Sequence, residues 1–228
     1  MGESRMGPPV ALLLELAGIY AVSEFIESGT YLGNTAYWAS QHFDHVATIE
    51  YSQELYQRAV QRFGHVSNIR FSYGDTRQKL AELASNLRTP AIFWLDAHWC
   101  SGATYGTSDQ CPLLEEIAVL NRSKLDHFIF VDDARFFMSP QPRPNDPEQW
   151  PTITELLGLL SIDRRRYIVI VEDVIVAVPM FAHSVVARYC QETNAAVLRK
   201  RLRPIVQDLR LALHSPVKAL KHFKSFLP

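Results

Sequence analysis

Apolar positions along this chain fall into short runs of two kinds, and the two kinds alternate. Residues 24–27 (EFIE), 45–51 (HVATIEY), 68–75 (NIRFSYGD), 90–98 (PAIFWLDAH) and 127–134 (HFIFVDDA) are rich in β-branched and aromatic side chains and have strand length. Between them, residues 35–43 (TAYWASQHF), 52–63 (SQELYQRAVQRF), 76–87 (TRQKLAELASNL) and 112–123 (PLLEEIAVLNRS) repeat their apolar residues at helical spacing. Ser52 suits a helix N-cap, and Pro112 a first helical position. The run 90–98 is apolar almost throughout, as a central strand covered on both faces must be. Such alternation predicts a parallel sheet with right-handed crossovers. The pattern changes after the helix at 152–161 (TITELLGLLS). Residues 166–179 (RYIVIVEDVIVAVP) hold two β-branched runs separated only by Glu172-Asp173, which leaves no room for a helix and predicts an antiparallel hairpin. The expected fold is therefore α/β: a Rossmann-like, doubly wound, mostly parallel sheet ending in an antiparallel hairpin, with a C-terminal helical extension. Its main domain spans residues 1–182, opened by a helix within 1–23, and residues 183–228 form a basic amphipathic tail.

Composition narrows the possibilities. A chain of 228 residues, 47% hydrophobic, holds one sizeable domain. A net charge of −1 gives no global attraction to nucleic acid. The charge is unevenly placed, however: from Arg199 onward eight Lys/Arg face one acid, Asp208, a local +7 that leaves −8 on the rest. Three scattered cysteines do not make a secreted disulfide framework. The apolar N-terminal stretch is interrupted by Glu15 and reads as an amphipathic helix, not a signal peptide or membrane span. The expected location is cytoplasmic.

Candidate chemistry begins at residues 24–43 (EFIESGTYLGNTAYWASQHF), where a strand runs into a turn carrying Gly29 and Gly33 and then into a helix. Glycines there let backbone approach a ligand, and the helix adds its N-terminal amides. A dinucleotide fingerprint would read G-x-G-x-x-G; glycines four apart make a looser turn, suited to a ligand without a pyrophosphate. Glu50 ends the second strand, 21 residues after Gly29, where a carboxylate accepts ribose hydroxyls. Gly74-Asp75 ends the third strand, where an acid accepts the exocyclic amine of adenine, and Asp96 ends the fourth. Each acid alone also reads as a helix cap or solvated turn residue. Together they line the carboxyl edge, where open α/β sheets bind ligands.

With these features the chain, from about Glu24 to Met180, resembles the class I S-adenosylmethionine-dependent methyltransferases. The resemblance implies that Glu27, Ser28, Gly29, Thr30 and Gly33 wrap the methionine part of the cofactor. It implies further that Glu50, with neighbouring Tyr51, holds the ribose, that Gly74 and Asp75 meet the adenine, and that Asp96 faces the amino group or the acceptor. The turn departs from the family's E/D-x-G-x-G-x-G in keeping only the first and last glycines.

Methyl transfer to oxygen needs a base, or a metal that lowers the acceptor's pKa. Asp96 and His98 are the catalytic candidates, two apart at a strand end. Asp96, Asp132 and Asp133 are candidate ligands for Mg²⁺. This arrangement resembles the metal-dependent sugar O-methyltransferases, with His98 standing where their pattern has a second acid. Against the metal stands the plainer reading that Asp132 caps a turn and Asp133 pairs with Arg135. A zinc set of His98, Cys100 and Cys111 lacks a C-x-x-C pair and a fourth ligand. The polar segment 98–111 is a candidate lid, and the proline-rich loop 136–151, with Phe136, Phe137 and Trp150, a candidate wall for the acceptor.

The expected function is O-methylation, with S-adenosylmethionine as donor, of a sugar or other small polar hydroxyl compound. The alternative is a methyltransferase-like module that binds without catalysis. In the tail, Val217, Leu220, Phe223, Phe226 and Leu227 interleave with Lys218, Lys221 and Lys224, which suits either contact with anionic lipid or a cap on the domain. Membrane contact through 217–228 would make a lipid-linked saccharide a sensible acceptor. A homo-oligomer is compatible with either reading.

Overall fold

The computed structural model describes residues 7–98, 109–162 and 165–214, with side chains as far as residue 202. Five strands, β1 (Glu24–Ser28), β2 (His45–Glu50), β3 (Ile69–Tyr73), β4 (Ala91–Leu95) and β5 (Phe128–Val131), run parallel. They are joined through α2 (Asn34–Ser40), α3 (Gln53–Phe63), α4 (Thr76–Asn86) and α5 (Leu113–Asn121). Beyond β5 come a short α6 (Arg135–Met138), α7 (Ile153–Ser161) and the hairpin β6 (Arg166–Val171) and β7 (Val174–Pro179). β7 inserts antiparallel between β5 and β6, giving the order β3-β2-β1-β4-β5-β7-β6.

Alternation along each strand divides the core into two layers. Phe25, Val46, Ile92, Trp94 and Phe130 face α1 (Val10–Tyr20), α2 and the start of α8 (His183–His214). Ile26, Phe93, Leu95, Ile129 and Val131 face α4, α5 and α7. β4 is buried at every position, as its continuous apolar run requires.

Caps behave as the sequence suggests at Ser52, whose side chain accepts from Leu55 N–H, and Thr152 and Glu155 form a capping box on α7. Three boundaries differ. The helix expected over 35–43 stops at Ser40, because Gln41 and His42 turn the chain toward β2. Pro112 is an N-cap, not the first helical residue. In the tail, where a proline inside a helix should kink or break it, the helix runs through Pro204 as one element from His183 to His214. Among the described residues no helix is long and apolar enough to cross a membrane. Residues 217–228 and most of the candidate lid lie outside the described residues.

Candidate active site

Strand register gathers the candidates. Ser28 pairs with both Ile49 and Leu95, and Leu95 pairs with Val131, so Gly29, Glu50, Asp96 and Asp132 emerge together at the carboxyl edge. Gly29 has φ +87°, and a Cβ there would stand 2.4 Å from the Asp96 carbonyl oxygen. Only glycine lets the turn lie this close on the end of β4. Gly33, with φ +78°, occupies the N-cap position of α2. The turn is tied to β2 by Gly29 and Thr30, whose N–H groups donate to the Ile49 carbonyl at 3.0 and 3.1 Å.

Beneath the turn Glu27 is buried and accepts from Thr48 Oγ1 at 2.6 Å; Thr48 in turn lies 2.6 Å from Thr30 Oγ1. Burial pushes the Glu27 carboxyl up to about 8, with Asp96 and Glu50 adding repulsion and Thr48 opposing. Glu50 accepts the Tyr31 N–H on one oxygen and the Ser52 N–H on the other, each at 2.8 Å. Burial raises its pKa against those amides. A carboxylate has about four acceptor sites, so capacity for ribose hydroxyls remains. Tyr51 beside it is half exposed. The residues at this edge thus fit a nucleoside-bearing cofactor, with a glycine cradle that any side chain would fill.

Asp75 follows Gly74, whose φ is +142°. It caps α4 by accepting from Arg77 N–H at 2.9 Å, and its other oxygen meets the Arg77 guanidinium at 2.7 Å. An adenine amine would have to share this carboxylate with Arg77, which also pairs with Asp109 at 2.8 Å.

At the ends of β4 and β5, His98 is buried between two acids. Its Nε2 lies 2.8 Å from Asp133 Oδ2, and its Nδ1 3.2 Å from Asp96 Oδ1. Trp150 and Phe136 stand edge-on to the imidazole, with centroids at 5.3 and 6.1 Å. The loop 136–151 therefore walls this histidine, and it opens with a helical turn, α6, because its prolines begin only at Pro140. Asp133 gives its other oxygen, Oδ1, to Arg135 Nη1 at 2.7 Å. Burial pushes the Asp133 pKa up, but the His98 bond and charge and the Arg135 charge outweigh it and hold the carboxyl below its ordinary value. Asp132 accepts the Asp133 N–H at 2.7 Å, and burial, reinforced by Asp96 and Asp133, pushes it up to about 7.

The expected magnesium set does not come together as ligands. Both Asp133 oxygens already face cationic or N–H partners, and Asp132 turns one oxygen to the backbone. Among the described residues no group of three His, Cys, Asp or Glu side chains is arranged to hold a metal. Cys111 is buried and its thiol is pushed up to about 12, which keeps it neutral, while Cys100 lies outside the described residues.

Sequence reasoning missed three groups. Thr48 is a mid-strand threonine of β2, and nothing in the strand pattern marks it. Glu116, on the first turn of α5, is buried, accepts from Ser28 Oγ at 3.3 Å, and is pushed up to about 7 by burial. Asp173, in the hairpin turn, pairs with Arg135, which the sequence already sets against Asp133. The Glu172-Asp173 turn offered the one available signal, since a tight hairpin favours Asn-Gly there.

No protein-family model and no curated protein sequence matches the chain. Solved structures do resemble it. The O-methyltransferase TomG of Streptomyces achromogenes, involved in tomaymycin synthesis and solved with SAM, is 14% identical, with 77% of this chain and 82% of that one covered at a TM-score of 0.53. An SAH-bound methyltransferase of Podospora anserina is 15% identical over 76% and 79% of the two chains, TM-score 0.53. An O-methyltransferase of Bacillus cereus in complex with SAH is 14% identical over 76% and 82%, TM-score 0.50. At these identities the likeness speaks for architecture: the chain has the class I methyltransferase fold, a seven-stranded mixed sheet closed by an antiparallel hairpin.

Proposed function

We propose that the protein is an S-adenosylmethionine-dependent O-methyltransferase acting on a small polar hydroxyl compound, a sugar being the first class to try. The observation that carries this reading is the contact between two half-sites. The glycine turn rests on the Asp96 backbone, and the Asp96 side chain touches the His98 of an Asp133–His98 pair.

S-adenosylmethionine, when bound, supplies a methyl group on a sulfonium, already activated for transfer. Glu27, Ser28, Gly29, Thr30 and Gly33 would hold its methionine end, Glu50 and Tyr51 the ribose, and Gly74 with Asp75 the adenine side. His98 acts as general base on the acceptor hydroxyl. Asp133 on Nε2 sets the tautomer and offsets the imidazolium charge, and the acceptor hydroxyl must take the place of the Asp96 carboxylate at Nδ1 for that nitrogen to receive the proton. His98 would take the hydroxyl proton of the acceptor as its oxygen is methylated. Phe136 and Trp150 support an acceptor with a ring to pack. No step is routed through a metal. With the acceptor in hand, His98→Ala lowers turnover about 100-fold or more.

Contact with an anionic membrane through residues 217–228, which would admit a lipid-linked acceptor, belongs to the same reading and is supported by the charge of that segment. The deciding experiment is a calorimetric titration of S-adenosylhomocysteine, with NADH as control. Micromolar binding of the first alone supports the donor assignment. Silence from both removes it and favours a module that binds something else without catalysis.

A further inference from the structure

The β6–β7 turn opens on a residue that a tight hairpin disfavours, Glu172. Glu172 and Asp173 have φ +50° and +69°, where glycine, asparagine or aspartate is the ordinary choice. Both side chains are nonetheless largely buried and bonded inward. Glu172 accepts the Tyr189 hydroxyl of α8 at 2.6 Å. The Asp173 carbonyl accepts the Ala134 N–H at 2.7 Å, its Oδ1 accepts the Arg135 N–H at 2.9 Å, and its Oδ2 pairs with Arg135 Nη1. That same Nη1 meets Asp133 Oδ1 at 2.7 Å, while Asp133 Oδ2 meets His98. Asp133 is itself held at φ +55°.

One guanidinium nitrogen is therefore divided between two carboxylates. An arginine beside a single carboxylate tends to close on it with two parallel bonds, engaging both oxygens. Here Asp173 draws the fork aside, so Arg135 takes only one oxygen of Asp133 and the other stays with His98. We propose that Asp173 is a positioning residue of the active site: by dividing Arg135 it reserves Asp133 Oδ2 for His98, and the Tyr189–Glu172 bond anchors the turn that carries it. The unfavourable backbone conformation of Glu172 persists in the turn because its side chain is held by Tyr189. The inference rests on the proposed role of His98, but its structural content, the state of the Asp133–His98 bond, is measurable without any acceptor.

The test uses the full chain and the ring N–H proton of His98, which resonates far downfield when it donates to a carboxylate. The signal is assigned by its loss in His98→Gln. Read on Nε2, which meets Asp133, and not on Nδ1, which faces Asp96, it is expected in the wild type, to shift upfield in Asp133→Asn, whose amide oxygen is a weaker acceptor, and to be lost or broadened in Asp173→Gly. That variant relieves the backbone of the turn, so its melting temperature stays close to wild type while the signal changes. Asp173→Asn keeps an acceptor for the Arg135 N–H but weakens the pull on the guanidinium, so it gives an intermediate signal; it also serves if the glycine variant does not fold. A wild-type signal in both Asp173 variants overturns the proposal, as does its absence from the wild type. S-adenosylhomocysteine titration on the same samples reads the donor assignment separately: loss of binding in the wild type refutes that assignment and leaves the resonance result standing.

Discussion

Glu27 and Glu50 are neighbours at the ligand edge with opposite surroundings, and each gives its own prediction. Glu50 spends two acceptor sites on the turn and on the start of α3, so Glu50→Ala removes both the proposed ribose acceptor and an anchor of the turn. Loss of hydrogen bonds to a charged group is worth about 1.5–3 kcal/mol, so affinity for S-adenosylhomocysteine should fall roughly 10- to 100-fold by calorimetry. Unchanged affinity would remove the assignment. Glu27 accepts hydroxyl bonds only, and its carboxyl is pushed up to about 8; Glu116 and Asp132 are pushed to about 7. Groups with raised folded-state pKa values stabilise fully below their unfolded values and lose that stabilisation as pH rises through 7 to 8, by up to about 1.4 kcal/mol per pH unit per group. Asp133, lowered, works in the other direction and loses its contribution in acid. The melting temperature without ligand should therefore fall between about pH 4.5 and pH 8, and fall less in Glu27→Gln. An equal fall in both proteins would clear Glu27 of the effect. The acids at the strand ends were legible in the sequence because their positions follow from strand length. Of their partners only Arg135, two residues from Asp133, was read: Arg77 lies as near to Asp75 and was within reach, but Asp173 meets Arg135 across 38 residues, a pairing only the fold creates.

Elements were easier to read than contacts. The parallel strands and the terminal hairpin follow from run length and from a two-residue gap, both local properties, and these fix the order in which strand ends reach the ligand edge. Element ends were harder, since α2 closes at Ser40 through turn hydrogen bonds to Trp38 and Ala39 carbonyls that no periodicity encodes. The glycine turn shows what an element adds to its residues. Its spacing suggested a looser loop around a ligand, whereas the structure shows that Gly29 is required first by the backbone of β4. In Gly29→Ala the new Cβ must displace the end of β4 or the turn, an overpacking cost of about 1–3 kcal/mol. Differential scanning calorimetry should show that loss together with weakened S-adenosylhomocysteine binding. Full stability in the variant would mean that the turn and β4 are not in this contact in solution.

At the scale of the whole molecule the two edges of the sheet differ in what they hold. Cavities of about 500 and 430 Å³ open at the amino edge, one lined by Asn121, Lys124, Arg165 and Phe181, the other by His45, Asn68, Arg70 and Leu87. The titratable cluster sits at the opposite edge, and topology, not cavity size, marks that edge as the place for chemistry. Charge divides along a different line. α8 is 32 residues long, about 48 Å at helical rise, and after its first turns pack on the domain it exposes Leu198 and Leu202 beside Arg199, Lys200 and Arg201. A body carrying −8 is repelled by anionic lipid, so any attraction to such a surface must come from the +7 of the last thirty residues. Deleting residues 199–228 should therefore abolish sedimentation with vesicles containing phosphatidylserine, leave the weak partition onto neutral phosphatidylcholine unchanged, and spare S-adenosylhomocysteine binding, because no residue of the ligand edge is removed. Salt should act on the full chain as truncation does, since each surface contact of a basic residue with anionic lipid is worth only about 1 kcal/mol and is screened within a Debye length. Equal sedimentation of the full and truncated chains would leave the tail as a cap on the domain.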